Sequence, residues 1–238
     1  MKWSKRKSFG QHMLKDNRIL ARIMDASQIN REETVYEAGT GTGVLTEELC
    51  KYAKLVTSFE VDREIFRKIS NLSSTYPNLK LVNADIFKIY HLEFDVFISN
   101  IPYSRSKDAL QWLLFQKFKR AIIMTQKEFV DKLQAKPGEK NYRAVTVLSQ
   151  YYFTIERLFN VSKEAFDPQP SVESTLIRLV PRSSATIDTN TITKLNFLFS
   201  KRNKKASAIS KRFDNKIRYD DKKIDQLTVR ELMEIVSE

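Results

Sequence analysis

Three of the chain's five glycines fall at Gly39, Gly41 and Gly43, directly after an apolar run that ends in Glu37-Ala38. Glycine there lets a backbone turn sharply and approach a ligand closely. A dinucleotide fingerprint needs glycine at 44, where this chain has Val44, and a phosphate-cradling loop needs a Gly-Lys-Ser/Thr ending that is absent. The pattern Glu37-x-Gly-x-Gly-x-Gly suits a nucleoside cofactor without a pyrophosphate, and S-adenosylmethionine fits. Glu60 follows 21 residues beyond Gly39. A carboxylate at that strand tip can accept both hydrogen bonds of a ribose diol, while Asp62 reads as the cap of the next helix. Asn83-Ala84-Asp85 ends the third strand, and Asp85 can accept from the amino group of a cofactor adenine.

Asn100-Ile101-Pro102-Tyr103 follows the fourth strand directly. An adenine N6 amine is a poor nucleophile because its lone pair is delocalised into the ring. Two acceptors on its two N–H bonds favour a pyramidal nitrogen and localise that pair. The Asn100 side-chain oxygen and the Ile101 carbonyl can be those acceptors, with Pro102 fixing the turn and Tyr103 stacking on the base. Methyl transfer then needs positioning and electrostatics rather than a strong base. Phe166, in the turn Phe166-Asp167-Pro168-Gln169-Pro170, offers a second aromatic surface for the base. A base that enters such a pocket must leave any stack, which favours a loop or distorted RNA as substrate.

These residues need a scaffold that brings strand ends together. Apolar runs predict strands over 34–38, 55–60, 79–83, 94–99 and 121–125, with helices after the first, second and fourth (the last two over 63–72 and 107–115). Two more strands, over 151–159 and 175–180, lack a long helix between them and are expected to pair antiparallel at the end of the sheet. The expected fold is α/β: a doubly wound, mostly parallel, seven-stranded Rossmann-like methyltransferase sheet. Residues 181–191 read as a polar linker. Beyond it Ile192, Leu195, Leu198 and Phe199 share a helical face, and Thr228 with Glu231 forms a capping box. The expected division is a catalytic domain over 1–183 and a small all-helical RNA-binding domain over 184–238.

Composition supplies the partner. The net charge is +12, yet residues 1–18 carry +5 and residues 194–218 carry +8, so the body between is close to neutral. Two basic segments on a neutral body suit a polyanion, because contacted phosphates release condensed counterions. Lys5, Arg6, Lys7, Lys201, Arg202, Lys204, Lys205, Lys211 and Arg212 are the candidate RNA contacts, with Arg105 beside the catalytic loop as either a phosphate contact or a helix-cap residue. The longest apolar runs are strand-sized, so no membrane span is expected. Cys50 is the single cysteine and there are only two histidines, which argues for a reducing cytoplasm and against a structural metal site. A monomer is expected.

At these residues the sequence resembles the ribosomal RNA adenine N6,N6-dimethyltransferase family of the KsgA type. Ser8-Phe9-Gly10-Gln11-His12-Met13-Leu14 is similar to the family's N-terminal Phe-Gly-Gln segment, which implies cofactor contacts at His12 and Leu14. Glu37 to Gly43, Glu60, Asp85 and Asn100 to Tyr103 match its cofactor and catalytic motifs, and Asn100 is implied to touch the cofactor as well. Gln126-Lys127-Glu128, Phe166 to Pro170 and the basic stretch 199–205 also match. The family's usual continuation, Asn-Ile-Ser or Gln-Ile-Ser, is replaced here by Ser104-Arg105-Ser106. The resemblance implies dimethylation of two adjacent adenines in a hairpin loop near the 3′ end of small-subunit rRNA, late in ribosome biogenesis. A resistance-type methylase of large-subunit rRNA shares the same core motifs and is the nearest alternative. A DNA adenine methyltransferase would carry Asp/Asn-Pro-Pro-Tyr and a separate recognition domain. A non-catalytic RNA-binding assembly or transcription factor on this scaffold would have no need of Glu60, Asp85, Asn100 and Tyr103 together.

Overall fold

The computed structural model describes residues 12–182, 187–213 and 221–236, except the side chains of 210–213. Lys5, Arg6 and Lys7, and the side chains of Lys211 and Arg212, lie outside the described residues. The chain divides into two compact units. One comprises Met1–Lys127 with Glu156–Val180, and the other Glu128–Ile155 with Pro181–Glu238. The second unit therefore takes in a central segment as well as the C-terminal one; the boundary expected at 183 ignores that segment.

The first unit is built on strands β2 (Thr34–Ala38), β3 (Leu55–Phe59), β4 (Leu79–Val82), β5 (Val96–Asn100) and β6 (Arg120–Gln126). Their order is β4-β3-β2-β5-β6, all parallel, followed by β9 (Ser174–Pro181) antiparallel to β6 and β7 (Phe153–Val161) at the edge. This is the seven-stranded, mostly parallel sheet that the alternation implies. Val96, Phe97 and Ile98 are buried in succession, as are Ala121 to Met124. Continuous apolar runs of this kind mark strands covered on both faces. The core gathers Val35, Val56, Val96, Ile98, Ile122 and Leu176 from the strands with Ile23 and Leu49 from helices.

Strand order decides where a ligand can sit. From β2 the chain proceeds one way to β3 and β4, then returns to the other side of β2 with β5. The carboxyl ends of β2 and β5 flank that reversal, the place where open parallel sheets leave a crevice. The register Glu37↔Ile98 sets the glycine loop beside Asn100. Ser99 Oγ donates to the Ala38 carbonyl at 2.6 Å and fastens the two strand ends together.

Several elements differ from expectation. Helix α1 (Asn17–Ser27) was not anticipated; Asp16 caps its start. Arg120 closes its other end by donating to the Ser27 and Gln28 carbonyls while binding Glu33 at 2.7 and 2.8 Å. The helix after β2 is α2 (Val44–Tyr52), and the single helix expected over 63–72 is α3 (Arg63–Ile69) followed by the short α4 (Leu72–Thr75). The helix expected over 107–115 is α5 (Ser106–Leu113). A two-residue strand, β1 (Met13–Leu14), pairs antiparallel with β8 (Phe166–Asp167).

In the second unit α6 (Lys127–Leu133) and α7 (Ala144–Tyr152) precede β7, which starts at Phe153 rather than at 151. Helices α8 (Thr189–Ser200) and α9 (Val229–Val236) pack on α7. Tyr142 is fully buried and its hydroxyl donates to the Leu227 carbonyl at 3.0 Å. The capping box is present: Thr228 N–H donates to Glu231, and Glu231 N–H to the Thr228 hydroxyl. Among the described residues no helix is long and apolar enough to cross a membrane.

Candidate active site

A cleft of about 850 Å³, its open mouth included, lies at the carboxyl ends of β2 and β5. His12, Leu14, Glu37, Gly39, Gly41, Glu60 and Asn100 to Tyr103 line it, all of them candidates from the sequence. Met13, Thr40 and Thr42, which lie inside the quoted motifs, line it as well, and so do Ser99, Met124 and Leu176, which carried no motif signal.

The glycine loop is held from below by carboxylates. Gly39, Gly41 and Gly43 all have positive φ, between 57° and 87°, where a side chain is strained. Glu37 is 1% exposed, and its Oε2 accepts from the hydroxyls of Thr46 and Ser58, each at 2.6 Å. Burial pushes its pKa up to about 7; the two hydroxyls pull the other way and the charge of Glu60 adds to the rise. Glu60 is 2% exposed; Gly41 N–H donates to its Oε2 at 3.1 Å and Asp62 N–H to its Oε1 at 2.9 Å. Burial raises its pKa too, against those two main-chain donors. Asp62 caps α3, as expected, by accepting from Glu64 and Ile65 N–H.

The strand pair β1–β8 clips the catalytic loop into place. The Asn100 Nδ2 donates to the His12 carbonyl at 2.9 Å. His12 Nδ1 donates to the Pro168 carbonyl at 2.7 Å and the ring packs on Tyr103 with ring centres 5.4 Å apart. Tyr103 is further held by a hydroxyl–hydroxyl bond to Ser174 at 2.7 Å, and burial raises its pKa. It therefore stays a neutral phenol at physiological pH.

Several candidates are placed otherwise, among them Gly43, which caps the start of α2 and does not line the cleft. Phe166 is 1% exposed, belongs to the core and does not line the cleft. Its register with Leu14 commits it to the clip, so in this conformation Tyr103 is the aromatic surface available to a base. Asp85 does not line the cleft either. Its Oδ1 accepts from Phe87 N–H at 3.1 Å and its Oδ2 binds Arg105 at 3.1 Å. Asn83 donates to the Glu60 carbonyl at 2.7 Å, which keeps the loop carrying Asp85 beside the tip of β3. Arg105 is paired with two carboxylates rather than presented free to solvent. In the second unit Lys201, Lys204 and Lys205 are exposed, whereas Arg202 binds Asp225 at 2.9 Å and the Lys140 carbonyl at 3.0 Å.

The family of ribosomal RNA adenine dimethylases matches residues 2–237. The ribosomal RNA small subunit methyltransferase A of Thermotoga maritima is 35% identical over 234 residues, covering 97% of this chain and 84% of that protein. The crystal structure of a dimethyladenosine transferase from Plasmodium falciparum, 26% identical, aligns over 94% of this chain and 96% of its own with a TM-score of 0.82. That of the 23S rRNA methyltransferase ErmE, 24% identical, aligns over 95% of this chain and 100% of its own at 0.66 and shares the fold. With the glycine loop, its carboxylates and the Asn100 motif assembled at one cleft, the chain belongs to the ribosomal RNA adenine dimethylase family.

Proposed function

We propose that the cleft binds S-adenosylmethionine and that the chain dimethylates N6 of two adjacent adenines in a hairpin loop near the 3′ end of small-subunit rRNA. One observation carries the reading. A carbonyl oxygen only accepts, so the bond from Asn100 Nδ2 to the His12 carbonyl fixes which way the amide faces. Its Oδ1 is left as an acceptor on a residue that lines the same cleft as the glycine loop.

The residues fit the cofactor. Glu37 and Glu60 line the cleft with carboxylates whose known partners leave lone pairs unused. Such an acceptor-rich wall suits a ligand that brings hydroxyl and ammonium donors and positive charge. Gly39 adds room, since a Cβ built on it meets nothing within 4 Å. Glu60 would take the ribose diol and His12 and Leu14 further contacts, while Asp85, outside the cleft lining but held beside the tip of β3 by the Asn83–Glu60 bond, would take the adenine amine at its border.

When bound, the cofactor supplies a methyl group on a positively charged sulfonium. The protein's part is to hold the acceptor nitrogen. Asn100 Oδ1 and the Ile101 carbonyl accept its two N–H bonds, and Tyr103, braced by His12 and Ser174, stacks on the ring. No strong base is required, and rate comes from alignment and fixed dipoles.

Purified protein is expected to transfer labelled methyl groups to small ribosomal subunits lacking this modification. Label on large-subunit RNA alone would replace this reading with the resistance-type one. Asn100→Ala is expected to abolish transfer and to leave cofactor affinity within several-fold; loss of cofactor binding would make Asn100 a ligand of the cofactor instead.

A further inference from the structure

Arg105 stands where the resembling family does not place a cation, and its surroundings give it a specific task. It ends the turn Tyr103–Arg105 that continues the catalytic motif. Its Nη2 lies 3.1 Å from Asp85 Oδ2 and 3.4 Å from Oδ1. Its Nε donates to Asp108 Oδ2 at 2.8 Å, and its guanidinium carbon sits 5.0 Å from the centre of the Phe87 ring. One planar cation thus bonds two carboxylates and sits over an aromatic ring, a combination a lysine does not reproduce with the same geometry. Asp85 in turn accepts from Phe87 N–H. Two loops are joined by this arrangement, one carrying Asp85 and one carrying Asn100 and Tyr103.

We propose that Arg105 is a positioning residue that locks Asp85 to the catalytic loop, so that the adenine end of the cofactor site and the target-base site are set as one unit. The proposal rests on the reading of Asp85 as acceptor for the cofactor's adenine. Pairing with Arg105 holds the carboxylate in one rotamer. Two of its lone-pair positions at most go to Arg105 and one to Phe87 N–H, which leaves acceptor capacity for an amino group. In this state Arg105 commits Nε and Nη2 to carboxylates rather than to a phosphate.

The test is cofactor affinity by calorimetric titration with S-adenosylmethionine, alongside RNA affinity as a function of salt. Arg105→Ala is expected to weaken cofactor binding about 5- to 10-fold, or roughly 1–1.4 kcal/mol. Arg105→Gln, which keeps a planar donor without the charge, is expected to recover part of that loss and guards against a merely unfolded variant. In an Asp85→Ala background Arg105→Ala should add nothing further, since its effect is routed through Asp85. Unchanged cofactor affinity in Arg105→Ala, with Asp85→Ala impaired, overturns the proposal and leaves the cofactor reading standing. Unchanged affinity in Asp85→Ala removes the reading of Asp85 itself. A flatter salt dependence of RNA binding in Arg105→Ala at unaltered cofactor affinity would make Arg105 a phosphate contact and also overturn the proposal.

Discussion

Glu37 is a carboxylate whose cost and use can be separated by pH. In the unfolded chain it ionises near its ordinary value of 4.5, whereas burial in the folded protein pushes that to about 7. The folded state therefore holds the proton more tightly. Its contribution to stability is complete below pH 4.5 and is lost as pH rises through 7, a change on the order of 3 kcal/mol. Glu37→Gln, which mimics the protonated form, should remove most of that slope and be the more stable protein at pH 8; denaturant unfolding at pH 5 to 8 checks it. A cationic cofactor favours the ionised form, so binding should release a proton and tighten as pH rises through 7. Affinity of the native protein that does not vary across that range would show that Glu37 does not sense the ligand's charge.

The glycine loop shows how elements rather than single residues set tolerance to change. A methyl at Gly39 meets nothing within 4 Å, but one at Gly43 lies 2.7 Å from Leu72 Cδ1 of α4. Both alanine variants carry the strain of positive φ, about 1–2 kcal/mol. Gly39→Ala should add little to that and lower cofactor affinity instead, because its methyl occupies the cleft. Gly43→Ala must also push the Leu72 side chain aside and should lose more thermal stability; equal loss in the two variants would contradict this. The loop, the strands and their carboxylates were legible in the sequence because glycine spacing and apolar runs are local signals. The clip of β1 on β8 was not: two-residue strands have no period, and Met13 and Asp167 meet only through tertiary structure. Helix α7 was missed for the opposite reason. Ala144 to Ser149 are all buried, so the segment has no polar face to reveal a helical repeat. Arg105 and Arg202 look like free cations in a sequence, since nothing local shows that Asp85, Asp108 and Asp225 will neutralise them.

At the scale of the whole molecule the charge pattern makes a quantitative demand. The segment 194–218 carries +8, but its cations do not share one environment. Lys201 and Lys204 are exposed, whereas Arg202 is half-buried, with Nε and Nη2 at 3.1 and 2.9 Å from Asp225. Counterion release counts only cations that reach phosphate, at about 0.7 in the log–log salt slope per contact with a single strand. Lys201→Ala with Lys204→Ala should therefore weaken binding of the hairpin RNA and flatten that slope by about 1.4, with thermal stability unchanged. Arg202→Ala removes the same charge but leaves Asp225 without its partner, so it should cost about 1–3 kcal/mol of stability and leave the slope alone. The two variants invert each other's signature: an unchanged slope in the lysine pair puts those side chains in solvent, and a flattened slope in Arg202→Ala means the Asp225 pair opens to take a phosphate.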